Sequence, residues 1–336
     1  MNKLIPLMIL TAATLASCGG SPVSSSTDSS VEPAHAVTWV TPTGAPTLAF
    51  YDQGGNENWL STDAPASIMP GAFAGNSYDA IVFDGMSGLK LIRANKATSQ
   101  YVMARWVNEL PFYLVSVKHT AEEAIAPSAT IDAFVQTGNA SVALNKLASD
   151  ANAWNIGALT AVTYEDGVAT VNQHLQAAPE SYDYFVLAEP VYTTAKAALA
   201  NKGVTLNLIK DLQTEWSSYY DGAKIPAAAL FLNKRSLEAY PNAMAQFVAD
   251  YDARIETLVT DPETAQTALR AYIDGGNNIV ARFGIAEAIV NMLPTLQATN
   301  KLGFQNRAWD GDSLADYANR FGSVTGVAAY DGTFFI

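Results

Sequence analysis

Cysteine is all but missing from this chain: Cys18 stands alone among 336 residues, so no intramolecular disulfide can staple the fold. Histidine is nearly as scarce. His35, His119 and His174 lie far apart, and none sits in a His-Glu-x-x-His or similar metal-ligand spacing. The Gly275-Gly276-Asn277-Asn278 turn lacks the lysine of a phosphate loop, and Gly85-Met86-Ser87-Gly88 falls one residue short of a nucleophile elbow with no nearby histidine to serve it. Catalysis therefore lacks its partner groups, and the expectation is a non-enzyme with no catalytic residue, metal or cofactor. Charge is thin as well: Asp, Glu, Lys and Arg make up 15% of the chain, against roughly a quarter in an average soluble protein. With 19 Lys+Arg against 32 Asp+Glu the formal net charge is −13, which repels phosphate backbones and excludes nucleic acid as a partner. No tandem repeat with a period of about 20–50 residues is present.

What is there is apolar: hydrophobic residues reach 49%, enough for a well-filled core, and the length suits two domains. At the amino end, Met1-Asn2-Lys3 supplies a short positive region and Leu4 to Leu15 an apolar segment too short to span a bilayer. Leu15-Ala16-Ser17-Cys18 then offers a small-residue cleavage site. The pattern resembles a bacterial lipoprotein signal, the lipobox, which implies a signal peptide over 1–17 and lipid attachment at Cys18. Multiple acyl chains hold a protein on a membrane where one would be marginal, so the expectation is an extracytoplasmic globular part, lipid-anchored to a bacterial membrane. Residues 18–36, rich in Ser and Gly, read as a flexible linker outside the fold.

From Val37 onward strands and helices alternate. Val37 to Thr41 reads as a strand running into Thr43-Gly44-Ala45-Pro46, with Pro46 suited to a first helical turn. Tyr78 to Phe83 is a buried-type strand that enters Asp84-Gly85 before a helix. Two β-rich runs, Tyr101 to Val107 and Phe112 to Val117, flank Asn108. A second α/β set follows: strand Thr130 to Val135, loop Gln136 to Ala140, helix Ser141 to Ala151, a strand near Ala158 to Tyr164, helix Val168 to Ala178, strand Tyr182 to Leu187, helix Pro190 to Ala200 and strand Val204 to Ile209. Trp216 to Gly222 reads as an aromatic loop, Ile225 to Leu232 as a strand, and Lys234 to about Phe321 as mostly helical.

This order resembles the type 2 periplasmic-binding-protein fold. It is most similar to the ABC-transporter substrate-binding lipoproteins of the nitrate, sulfonate, taurine and thiamine-precursor group. The resemblance rests on Thr43-Gly44-Ala45-Pro46, Tyr78-Asp79-Ala80-Ile81-Val82, Thr137-Gly138-Asn139, Leu187-Ala188-Glu189-Pro190 and Ile225-Pro226 with Asn233-Lys234. It implies an α/β, two-lobed molecule with a ligand cleft between the lobes and a helical C-terminal part. Lobe one would hold 37–116 plus 213–336, and lobe two 117–212. It further implies a monomer that delivers a small molecule to an ABC permease after hinge closure. An enzyme of menaquinone or thiamine-precursor metabolism on the same fold, or a non-transport envelope scaffold, are the alternatives.

Strand-to-helix tips of such sheets bind ligands, so Thr43, Gly44, Ala45, Pro46, Asp84, Gly85, Thr137, Gly138, Asn139 and Glu189 are the expected cleft residues. Asn108 lies at a crossing segment. Trp106, Trp216, Tyr219 and Tyr220 could stack on a flat ligand, although aromatics on strands are more often core. Asp84 and Glu189 serve equally as helix caps. As ligand groups, two carboxylates would suit an amino-heterocycle or cation better than nitrate. Arg93 and Arg105 are the nearest arginines in sequence, so a planar, partly polar molecule is expected in preference to a strongly anionic one.

Overall fold

The computed structural model describes residue 32 and residues 34–336; Cys18, the leader 1–17 and most of the 18–36 linker lie outside them. The linker's last residues do belong to the fold. The His35 ring stacks on Tyr240, with centroids 3.7 Å apart, and its Nε2 lies 3.0 Å from Asp79 Oδ2, because a flat ring and a half-buried carboxylate offer more than solvent does.

The first sheet draws on β1 (Trp39–Pro42), β2 (Trp59–Thr62), β3 (Ala80–Asp84) and β4 (Tyr101–Trp106), with a 3-10 turn at Ala45–Phe50 and helices α1 (Pro65–Gly75) and α2 (Gly85–Ala94) between them. The chain then crosses to β5 (Phe112–Ser116), β6 (Thr130–Phe134), α3 (Asn139–Ser149), β7 (Ala161–Glu165), α4 (Val168–Ala177), β8 (Tyr184–Ala188), α5 (Val191–Ala200) and β9 (Asn207–Asp211). Helix α6 (Leu212–Tyr219) begins the return, and β10 (Ala228–Asn233) rejoins the first sheet. Helices α7 (Lys234–Ala239), α8 (Pro241–Thr260), α9 (Pro262–Asp274), α10 (Ile279–Phe283), α11 (Glu287–Ala298) and α12 (Gly311–Thr325) make up the helical C-terminal part.

The sheet orders are β2-β1-β3-β10-β4 and β7-β6-β8-β5-β9. They follow one plan twice: three parallel strands, then the strand that has just crossed from the other lobe, lying antiparallel to both its neighbours. This corrects the sequence division at one element. β5, which 37–116 assigns to lobe one, pairs with β8 and β9 in the second sheet, because its apolar run, buried at every position, needs a neighbour on each side.

Core packing explains the remaining elements. Helices α8 to α11 cover one face of the first sheet over a ring cluster in which Phe50 lies 5.5 Å from Trp39 and Phe283 meets Trp59 edge-on at 5.1 Å. Trp59 belongs to β2, a four-residue edge strand too short for alternation to signal. A second cluster runs through both lobes, from Phe83 and Trp106 to Phe112 and Ile131. The expected aromatic loop at 216–222 is mostly helix α6. Asp211 caps it, accepting from Gln213 N and Thr214 N, and Trp216 is fully buried on it.

Candidate functional site

In a sheet of order 2-1-3 the helices after the first and third strands leave to opposite sides, and a crevice opens between their strand ends. Both sheets have such a point: after β1 and β3 in one lobe, after β6 and β8 in the other. The two crevices face each other across a cavity of about 120 Å³, room for a molecule of on the order of ten non-hydrogen atoms.

The first wall is the turn after β1. Gly44 has φ 98° and ψ −149°, a combination open to glycine, and its N–H donates to Phe283 O at 2.8 Å. Thr47 Oγ1 lies 2.6 Å from Gly44 O and 2.8 Å from Phe283 O, so helix α10 pins the turn from behind. Thr43, Gly44, Ala45 and Pro46 all line the cavity.

The second wall is Asp84, where β3 ends and α2 starts. Its Oδ1 accepts from Ser87 N at 2.8 Å, capping its own helix. Its Oδ2 accepts from Asn139 N at 2.9 Å, the first residue of α3 in the other lobe. Burial pushes the Asp84 carboxyl up, against the pull of these two backbone donors. One carboxylate thus fills two helix N-termini.

From lobe two come Gly138 and Asn139, and Glu189 after β8. Asn139 Nδ2 donates to Pro226 O on the returning segment at 2.6 Å, which fixes its Oδ1 as an acceptor; that atom is buried and has no partner among the described residues. Glu189 is 1% exposed. It accepts from Thr193 N at 3.3 Å and from Thr193 Oγ1 at 3.0 Å in the first turn of α5, and meets Lys301 Nζ at 3.3 Å. Asn108 holds the crossing: its Oδ1 accepts from Ala228 N at 3.4 Å and its Nδ2 donates to Leu302 O at 3.3 Å.

The rest of the wall is mainly apolar, with Phe83, Phe112 and Phe134 as its rings, and the lining residues include no Lys, Arg or His. Away from Asp84 the lobes also touch at the rim. Ser67 Oγ lies 2.8 Å from both Asp166 carboxylate oxygens, and Ser87 Oγ donates to Thr137 O at 3.0 Å.

Six expected residues are not brought to the cavity, among them Trp216, fully buried on α6. Thr137 is an exposed rim residue, and Gly85 supports the Trp106 ring, which any Cβ at that position would overlap. Trp106 itself faces α12, its ring 5.1 Å from that of Tyr317. Tyr219 points to solvent. Tyr220 packs on Trp216 at 4.4 Å and donates to Asp150 Oδ2 at 3.0 Å.

Sequence reading also missed Asp63 and the start of α4, Gly167 to Ala169, which close the cavity. The signal was a glycine directly after a strand end, at Glu165-Asp166-Gly167.

No protein-family model matches the chain, and no curated protein sequence matches it. Solved structures do resemble it. An ABC transporter from Parabacteroides distasonis is 16% identical with a TM-score of 0.55, over 89% of this chain and 98% of that one. The alkanesulfonate-binding protein SsuA from Xanthomonas axonopodis pv. citri, bound to MOPS, is 14% identical with a TM-score of 0.56, over 90% and 99%. A Candida albicans protein described as having the generic periplasmic binding protein structural fold is 10% identical with a TM-score of 0.56, over 90% and 94%. At these identities the likeness is one of fold: the chain has the two-lobed periplasmic-binding-protein fold, an α/β architecture with its cleft between the lobes.

Proposed function

We propose that this chain is the solute-binding component of an ABC-type importer, held outside the cytoplasm by lipid on Cys18, that closes its two lobes on a small molecule and presents the closed form to a permease. The observation that carries this reading is the cavity between facing strand-end crevices, walled by both lobes, so that occupancy and lobe contact are coupled. The sharing of Asp84 between the N-termini of α2 and α3 supports it, since that bond exists only when the lobes meet. The molecule acts as a monomer in this reading.

The cleft also bears on which solutes enter. Helix N-termini attract anions, yet here Asp84 and Glu189 already take the N–H groups of Ser87, Asn139 and Thr193. An incoming sulfonate or nitrate meets carboxylates where it needs donors; Lys301 is already paired with Glu189, and no lining Lys, Arg or His among the described residues offsets Asp84. The solute is accordingly small, largely apolar and either neutral or cationic.

Thermal-shift titration of ligand-free protein against amines, pyrimidines, amino acids, alkanesulfonates and nitrate, followed by small-angle scattering, tests both statements. A neutral or cationic compound should raise Tm and reduce the radius of gyration. A panel in which only sulfonates or nitrate bind overturns the solute class and leaves the receptor standing. The receptor reading fails if correctly folded protein responds to nothing and never changes compactness.

A further inference from the structure

Beneath α4, outside the cavity lining, three potential ligand groups converge. Asp132 comes from the middle of β6, Glu165 from the end of β7 and His174 from α4; one donor atom from each lies within 4.8 Å of the others. The placement follows from the sheet. β6 and β7 run parallel with Asp132 beside Thr163 and Phe134 beside Glu165, so Asp132 and Glu165 share the face that α4 covers.

His174 Nδ1 lies 2.9 Å from Asp132 Oδ2 and 3.9 Å from Glu165 Oε1. A single ring N–H can satisfy one of these oxygens and not both. The short contact goes to Asp132 Oδ2, which leaves the other Asp132 oxygen to be accounted for. Asp132 is 0% exposed between Ile131 and Ala133, and its Oδ1 has no hydrogen-bond partner among the described residues. A buried carboxylate with an orphaned oxygen costs free energy unless a cation compensates it. His174 alone does so incompletely, since its one short contact goes to Oδ2 and leaves Oδ1 bare.

We propose that Asp132, Glu165 and His174 form a binding site for a divalent first-row transition cation such as Zn²⁺ or Mn²⁺. One imidazole nitrogen with two carboxylate oxygens is a donor set those ions accept, while the single nitrogen disfavours Ca²⁺ and Mg²⁺. Side-chain exposures of 39% for His174 and 22% for Glu165 provide an entry path and leave coordination positions for water. On binding, Nδ1 gives its lone pair to the metal, and its proton, where present, leaves to solvent. His174 stands six residues, about 9 Å of helix, beyond Val168, while Glu165 lies two residues before Gly167, so the site backs onto the cleft wall without lining it. The site is structural in this reading: it fastens α4 to the sheet.

The test uses the full chain stripped with chelator. Metal analysis after incubation with Zn²⁺ or Mn²⁺ and desalting should find one ion per chain, and Zn²⁺ should raise Tm while Mg²⁺ does not. Glu165→Gln and His174→Gln change partly exposed groups and should fold, as circular dichroism will report, yet lose the ion and the Tm gain. His119→Gln is the control, because His119 forms a separate cluster with Glu123 and Asp183. Binding that survives both Glu165→Gln and His174→Gln, binding that vanishes in His119→Gln, or no stoichiometric metal in the parent chain overturns the proposal.

Discussion

Asp183, just before β8, shows how much one side chain can hold. Its Oδ2 accepts from Thr130 N at 2.8 Å and Thr130 Oγ1 at 2.9 Å, and Lys118 Nζ lies 3.2 Å from Oδ1. The Thr130 backbone bond is the largest of the effects that pull its carboxyl from the ordinary 3.8 to about 2. A carboxyl depressed in the folded state contributes stability above its unfolded value and loses it as pH falls toward the folded one. Asp183→Asn should therefore unfold more easily above about pH 4, by on the order of 1–2 kcal/mol after allowing for its partial exposure, and most of that deficit should be gone by about pH 2, the folded value through which it is lost. Urea melts at the two pH values check this, and an equal deficit at both would refute it. Legibility at this scale was uneven. Glycine and proline at Gly44 and Pro46 carry their backbone geometry in their identity, so the first cleft turn could be read. The direction of Trp106 could not, because what decides it is α12, some two hundred residues further along the chain.

Among elements, the strand ends were legible and their partners were not. Apolar runs bounded by turn residues announce β3, β6 and β8, whereas the insertion of β10 between β3 and β4, and of β5 between β8 and β9, depends on partners far away in sequence. Helix α10 illustrates such a dependence and yields a prediction. Its C-cap, Gly284, has φ 65°, and a Cβ there would overlap the Thr43 side chain of the cleft turn. Gly326 caps α12 in the same left-handed conformation, at φ 74°, with open space around it. Alanine at either position should cost roughly 1–2 kcal/mol for the left-handed backbone alone. Only Gly284→Ala should also move Thr43 and weaken solute binding by about tenfold or more. Comparing the two variants in thermal melts and in titrations with whichever compound binds separates strain from site distortion, and equal affinity in both would show that α10 does not set the turn.

For the whole molecule the question is what holds the lobes together. Asp84 does two jobs, capping α2 within its lobe and accepting from Asn139 N across the cleft, and substitution can divide them. Serine is a good helix cap but is one bond too short to keep both contacts, whereas alanine loses both. A hydrogen bond to a charged acceptor contributes about 1.5–3 kcal/mol, which in a two-state lobe equilibrium is roughly a 10- to 150-fold change in the closed-to-open ratio. Asp84→Ser should therefore melt within about 1 kcal/mol of the parent yet scatter as a more open particle without solute. Asp84→Ala should show the same opening together with the added loss of the cap, about 1 kcal/mol. Other lobe contacts, Ser67 with Asp166, Ser87 with Thr137 and Lys301 with Glu189, lie nearer solvent on at least one side, so removing them should open the molecule less. If Asp84→Ser scatters like the parent while Lys301→Gln opens the cleft, the closure is governed by the rim and not by the shared helix N-termini.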